Sequence, residues 1–233
     1  MDQHPDDIFT VPRLEQIPYL VHGFGTEKWR ESDIEAKLKG KNFRLLFLNQ
    51  IHSNIVHFID KIPSDNLDGD ALITRLDRLL MVIKTADCLP VLMVEKSRKI
   101  IAAVHCGWRG TQKKVIQRVL EGIEDHYNGQ LGSLLVALGP SIGPECYEVG
   151  QDVRQEFKEA DLPLEVFRPH PVKDGKYFLD LKEANLLQLL NLGVKRENIF
   201  TIDSCTQCSS FLPSFRRDGK KAGRMLSFIG MSF

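Results

Sequence analysis

Apolar residues gather in short, nearly continuous runs through the first half of the chain, a pattern of strands covered on both faces. The runs occupy residues 45–49, 55–59, 71–74, 79–84, 91–95 and 99–104. The period then changes. Between 111 and 127, Val115, Val119 and Ile123 recur with Ile116 and Leu120 beside them, which predicts a helix closed by Asn128-Gly129. Residues 134–138 read as a buried strand and 151–160 as a short helix. Asp180 precedes Glu183 at the capping-box spacing, ahead of Ala184, Leu187 and Leu190, and Gly193 ends that helix. Late strands are expected at 199–202 and 225–229. Strands grouped early and helices scattered late predict an α+β fold. No linker, repeat or low-complexity tract divides the chain, so residues 1–233 are expected to form a single domain.

Composition narrows the setting. Hydrophobic residues make up 42% and charged residues 27%, as in ordinary globular proteins. Lys plus Arg and Asp plus Glu both number 31, so no basic footprint for nucleic acid exists, and no Lys/Arg run is longer than pairs such as Arg216-Arg217 and Lys220-Lys221. Residues 1–7 are acidic and carry no apolar stretch of the secretory kind. No run approaches the ~20 apolar residues that span a bilayer. A cytoplasmic protein without membrane or nucleic-acid partners is the expectation. The five cysteines, an odd number, read as reduced thiols. Cys205 and Cys208 form the one Cys-x-x-Cys pair; with no partner pair and a loop-like Ser209-Ser210-Phe211-Leu212-Pro213 after it, the pair reads as two loop cysteines beside a substrate wall.

Three polar interruptions of the apolar pattern carry soft-metal ligands. They are Asn49-Gln50-Ile51-His52-Ser53, Thr85-Ala86-Asp87-Cys88-Leu89-Pro90 and Val104-His105-Cys106-Gly107-Trp108-Arg109-Gly110-Thr111. Each ligand sits at the mouth of an apolar run, where a scaffold holds a side chain firmly yet leaves it reachable. Two imidazoles and one thiolate, from His52, His105 and Cys88, leave tetrahedral zinc a fourth position, as catalytic sites do. Taken singly, each has a plainer reading: a hydrogen-bonded structural histidine, or a small buried thiol.

Those stretches, with Asp70-Ala71-Leu72-Ile73-Thr74, Gly139-Pro140-Ser141-Ile142-Gly143-Pro144-Glu145-Cys146-Tyr147-Glu148-Val149-Gly150 and Ser214-Phe215-Arg216-Arg217-Asp218-Gly219, carry a resemblance. The chain resembles the laccase-domain family of bacterial proteins, first described as multicopper polyphenol oxidases and later as zinc-dependent purine nucleoside phosphorylases. The resemblance implies a compact α/β/β/α layered domain with mixed sheets, and zinc held by His52, Cys88 and His105. It also implies a purine nucleoside and phosphate as partners. The reactions implied are phosphorolysis of adenosine- and inosine-type nucleosides, methylthioadenosine included, and adenosine deamination.

Zinc brings bound water to a pKa near ~7, and a neighbouring acid must then move protons. Asp87 and Glu145 are candidates, although Asp87 serves equally well as a group orienting His105 from behind. Glycines ahead of a helix expose N–H groups to anions, and Arg109 adds a two-point donor; Arg109 and Gly110 are therefore candidate phosphate-binding residues. A tight turn with Arg109 in an ordinary salt bridge is the alternative. Arg216 is a further candidate for phosphate or ribose, against the commoner case of an exposed surface arginine. One departure stands out. Members of the resembled family often carry Thr-Arg and then Gly-Gly after the early Gly-Phe, and the stretch from His22 to Trp29 lacks both. Lys28 or Arg30 is left to stand in, so phosphate use is expected to be weaker, with deamination spared.

Three other readings fit the same residues. Cys88 with His105 or His52 as base describes a cysteine hydrolase or amidase. A His2Cys site also resembles a copper centre for phenol oxidation, although seven histidines without a His-x-His pair are few for a multicopper cluster. A metal-stabilised binding module is the reading outside enzymology.

Overall fold

The protein is described from a computed structural model covering residues 8–65 and 67–233. The acidic segment 1–7 lies outside the described residues. The chain opens with α1 (Pro12–Glu15), β1 (Leu20–Phe24), α2 (Glu31–Lys37), β2 (Arg44–Asn49), β3 (Val56–Ile59), β4 (Leu67–Asp68) and β5 (Ala71–Thr74). Then come β6 (Leu79–Thr85), β7 (Leu89–Glu95), β8 (Ile100–Cys106), α3 (Trp108–Gln112), α4 (Val115–Asp125) and β9 (Leu134–Leu138). It ends with β10 (Glu148–Gly150), α5 (Gln151–Glu159), β11 (Phe167–Pro169), β12 (Lys176–Leu179), α6 (Leu181–Asn191), β13 (Ile199–Thr201), α7 (Phe215–Asp218) and β14 (Met225–Met231).

Two large sheets carry the fold, one in the order β1-β14-β6-β2-β4 and the other β13-β9-β7-β8-β5-β3. Both are mixed: β2 with β6, β3 with β5 and β9 with β13 run parallel, while β7 with β8 and β14 with β6 run antiparallel. Alternation along each strand assigns the layers. Leu79, Met81 and Ile83 of β6 meet Leu92 and Val94 of β7 and Ile101 and Ala103 of β8 in a core between the sheets. The intervening Leu80 and Val82 turn outward onto Ile34 and Leu38 at α2. On the far side Ala102 and Val104 of β8 meet Val115, Val119 and Ile123 of α4 and Leu189 of α6. Every central strand is therefore covered twice, which is why the sequence runs are apolar at consecutive positions. The result is the expected α/β/β/α layering. A small third sheet, β10-β12-β11, closes with α5 around the fully buried Phe157.

The expected helix across 111–127 is two helices. Lys114 takes a left-handed φ of 59° and separates α3 from α4, so only the second carries the apolar stripe. Strands β7 and β8 extend further toward the site than expected, because Leu89 pairs with Cys106 at the open end of their hairpin. The cap of α6 is as the spacing predicts, with Asp180 accepting the Glu183 N–H at 2.9 Å.

Candidate metal centre

The hairpin β7–β8 brings two of the proposed ligands together. Cys88 immediately precedes β7, and His105 lies on β8 opposite Pro90. The third comes from the other sheet. Beyond the end of β2, Gln50 fastens the chain to β6, donating to Lys84 O at 2.9 Å and accepting from Lys84 N at 2.8 Å, and His52 follows. His52 and Asp87, both beside the centre, adopt positive φ angles of 57° and 83°, costly for residues with side chains. The ligand atoms of His52, Cys88 and His105 all lie within 4.8 Å of one another. Cys88 Sγ is 3.9 Å from His52 Nε2, and the two imidazole rings meet edge to face with centroids 4.8 Å apart. Gly107 makes this approach possible: a Cβ there would stand 2.9 Å from His52 Cδ2 and 3.1 Å from Cys88 Sγ.

Asp70, which precedes β5 and is fully buried, organises the group. Its Oδ1 accepts from His105 Nδ1 at 2.7 Å and from the His52 N–H at 3.0 Å. Its Oδ2 accepts from the Ser53 N–H at 2.5 Å and the Ser53 hydroxyl at 2.7 Å. The bond at Nδ1 fixes the His105 ring and leaves Nε2 for the centre. Burial would raise the Asp70 carboxyl, but the donors from His105 and Ser53 prevail and hold it at about 2. The role of orienting His105, read as an option for Asp87, belongs to Asp70. The sequence held one signal for it: an acid directly ahead of the apolar run Ala71-Leu72-Ile73.

Asp87 does something else. Its Oδ1 accepts from Thr206 Oγ1 at 2.6 Å and its Oδ2 from the Arg216 N–H at 2.7 Å, so the neighbour of Cys88 fastens the Thr206 loop and the first turn of α7. Glu145, the second acid considered, is exposed and paired with Arg168. Without a metal, Cys88 and His105 each favour the other's charged form. Burial pushes the Cys88 thiol up, yet the neighbouring His105 and His52 bring it down to about 6. Burial likewise opposes charge on His105, and the Cys88 thiolate and Asp70 overcome it, lifting the ring to about 9.

The arginines flank this centre. Arg109 is exposed and lies over the Trp108 ring at 4.3 Å. The Arg216 guanidinium stands 5.4 Å from the Tyr147 ring centroid and donates to Glu148 O at 2.9 Å. Tyr147 senses Cys88, Arg216, Asp87 and Arg109 together; its hydroxyl stays protonated, through burial first and then the Cys88 thiolate. Gly110 lies in the first turn of α3, whose first intrahelical bond runs from the Thr111 N–H to Gly107 O at 2.9 Å. A Cβ at Gly110 would lie 3.1 Å from Ser53 O, so the glycine also lets two ligand-bearing turns pack closely. Arg30 turns its guanidinium onto Glu27 O at 3.1 Å.

Sequence reasoning also missed a second sulfur group. Cys205 and Cys208 are joined by Cys146, with all three sulfurs within 4.8 Å of one another.

Layering and donor set together define a domain with a histidine–thiol centre at the mouths of two sheets. The chain belongs to the family described as multi-copper polyphenol oxidoreductase laccase, which matches residues 28–232. Its curated relatives are enzymes. It is 37% identical over 187 residues to a purine nucleoside phosphorylase of Clostridium acetobutylicum, a match covering 78% of this chain and 75% of the relative. It is 36% identical over 166 residues to adenosine deaminase RL5 of an unknown prokaryotic organism, covering 70% of this chain and 63% of that one. Among solved structures, YlmD from Geobacillus stearothermophilus superposes with a TM-score of 0.85 at 28% identity, over 96% of this chain and 94% of that one. Among the described residues no helix is long and apolar enough to cross a membrane.

Proposed function

We propose that this protein is a zinc-dependent purine nucleoside enzyme that both phosphorolyses and deaminates. The observation that carries the reading is His52. Its Nε2 joins Cys88 Sγ at 3.9 Å and closes a three-donor group that hydrolysis by a thiol does not need. Two neutral imidazole nitrogens and one thiolate suit zinc, and the Gly107 close approach leaves space where a larger residue would stand between the donors. When bound, zinc supplies a Lewis acid and a source of nucleophile at neutral pH. The chain's own residues do the rest. Asp70 fixes His105, Asp87 holds the Thr206 loop and the start of α7 next to Cys88 in the chain, and Arg109 and Arg216 offer cationic forks to a phosphate or ribose. Phosphorolysis breaks the bond between the ribose C1′ and the purine, joins C1′ to a phosphate oxygen, and returns a proton to the base. Deamination replaces the 6-amino group of adenosine by oxygen from water and releases ammonia. Adenosine, inosine and methylthioadenosine are the substrates to try.

A second reading rests on one observation as well. Asp70, His105 and Cys88 form an acid–histidine–thiol chain, the arrangement of a cysteine hydrolase. The experiment separates the two. Purified protein is incubated with adenosine, with and without phosphate, and nucleosides are resolved from bases by chromatography, before and after metal removal by chelator. We expect inosine in both mixtures, free base only with phosphate, and loss of both on chelation with return on adding zinc. Arg109→Ala should reduce base release more than inosine formation. Full activity in metal-free protein refutes the zinc reading and favours the hydrolase.

A further inference from the structure

The strongest unassigned feature is the sulfur group at the other end of the Asp87 contacts. Cys146 lies in the loop between β9 and β10, and Cys205 and Cys208 lie between β13 and α7. Cys146 and Cys208, 62 residues apart in sequence, are thus brought together. Cys146 Sγ is 3.4 Å from Cys208 Sγ, and all three sulfurs fall within 4.8 Å of one another. Sulfurs around a tetrahedral ion with ~2.3 Å metal–sulfur bonds stand ~3.8 Å apart, between those two values. Cys205 Sγ also accepts the Gly143 N–H at 3.2 Å, a bond that suits a sulfur bearing negative charge. Two buried oxygens on the same segments, Ser141 Oγ and Gln207 Oε1, have no hydrogen-bond partner. A disulfide between Cys146 and Cys208 would leave Cys205 unused. An ion uses all three.

We propose that Cys146, Cys205 and Cys208 form a second metal site, for a soft d10 cation of the zinc(II) or copper(I) kind. The donor set is thiolate only, with neither imidazole nor carboxylate within the group, and so softer than the first centre. The site acts as a clamp. Thr206, next to Cys205, bonds Asp87 at 2.6 Å, and Tyr147, next to Cys146, carries Arg216 over its ring. Ser141 and Cys205 already form an isolated backbone bridge between the two segments. An ion across the three sulfurs locks both walls beside Cys88. The site does not depend on the reaction proposed above.

The test uses the full chain carrying Cys88→Ser, which disables the first centre, purified and kept reduced without oxygen. Zinc and copper are measured by elemental analysis, and cobalt(II) titration follows thiolate-to-metal charge transfer. The expected result is about one ion per chain in Cys88→Ser, close to none once Cys208→Ser is added, and about two in the unchanged protein, as for two independent sites. Cys208 is exposed, so its replacement spares the core; circular dichroism checks the fold. The unchanged protein gives a variant-free measurement, with cobalt charge transfer rising until two equivalents are bound. Saturation at one equivalent overturns the proposal, as does metal-free Cys88→Ser protein or an ion indifferent to Cys208→Ser. So does an intact mass two hydrogens light that Cys208→Ser restores, because the sulfurs are then spent as a disulfide.

Discussion

Asp70→Asn is the sharpest perturbation the centre offers, because it removes one charge and almost no volume. The native carboxylate accepts four hydrogen bonds, two at each oxygen. An amide keeps only one acceptor end. With its NH2 toward Ser53 it confronts the fixed Ser53 N–H, whereas the hydroxyl can rotate to accept; the other orientation confronts both His52 N–H and His105. The first is cheaper and strands one buried donor, at about 1–3 kcal/mol. Linkage gives a similar figure. The Asp70 carboxyl is depressed from 3.8 to about 2, so the folded state binds its proton less readily than the unfolded chain. That contribution is present above the unfolded value and lost as pH falls toward 2, and amounts to about 2–3 kcal/mol at neutral pH. The His105 ring simultaneously loses its negative partner, and such losses weaken metal binding by roughly 10–100-fold. Chemical denaturation of chelator-treated protein reads the stability. Competition with a fluorescent zinc chelator, on protein shown to be folded, reads the affinity. A folded Asp70→Asn protein with unchanged zinc affinity refutes the claim that Asp70 acts on the metal through His105.

Two more outcomes follow from named contacts. His22 is buried, accepts the Val11 N–H at 2.9 Å, and is held neutral down to about 4, by burial against a smaller opposing pull from Glu15. Its folded value lies below its unfolded one, so stability present above pH ~6.5 declines as pH falls toward 4, by about 3 kcal/mol in all; urea midpoints of wild type and His22→Gln across that window should converge on acidification, and parallel curves would remove His22 as the cause. Gly107→Ala should leave the fold intact and lower zinc affinity at least about tenfold, since its methyl group enters between His52 and Cys88; equal metal content after dialysis against chelator would show that the donors yield freely.

The donor trio was legible because each member ends an apolar run, and the doubly covered strands were legible because they leave no polar face; their layering came only through the family resemblance. What stayed hidden depends on pairing. Asp70 meets His105 because Ala71 pairs with Val104 across β5 and β8, a register that no local pattern announces. Cys146 reaches Cys205 and Cys208 through the contact of two loops, whereas Cys-x-x-Cys spacing alone pointed to an isolated pair. The strand Leu20–Phe24 escaped notice because His22 and Gly23 interrupt its apolar run, yet His22 is buried and Gly23 packs against Ile8. The break at Lys114 is a single left-handed residue just ahead of Val115, where the apolar stripe begins, so nothing within the stripe marks it.

The first centre draws its donors from both sheets: His52 follows β2 of one, while Cys88 and His105 belong to the hairpin of the other. An ion held there is a rivet through two layers, and its binding energy counts toward keeping the layers in register. Occupancy and folding then become one equilibrium. An ion at a hundred times its dissociation constant adds about 2.7 kcal/mol to the folded state, so the melting temperature rises with free metal. The same coupling runs backward. A cavity opened between the sheets, at Met81 or Leu92, can loosen the grip on an ion that neither residue touches. Metal affinity in this fold is thereby a gauge of how well two sheets slide home.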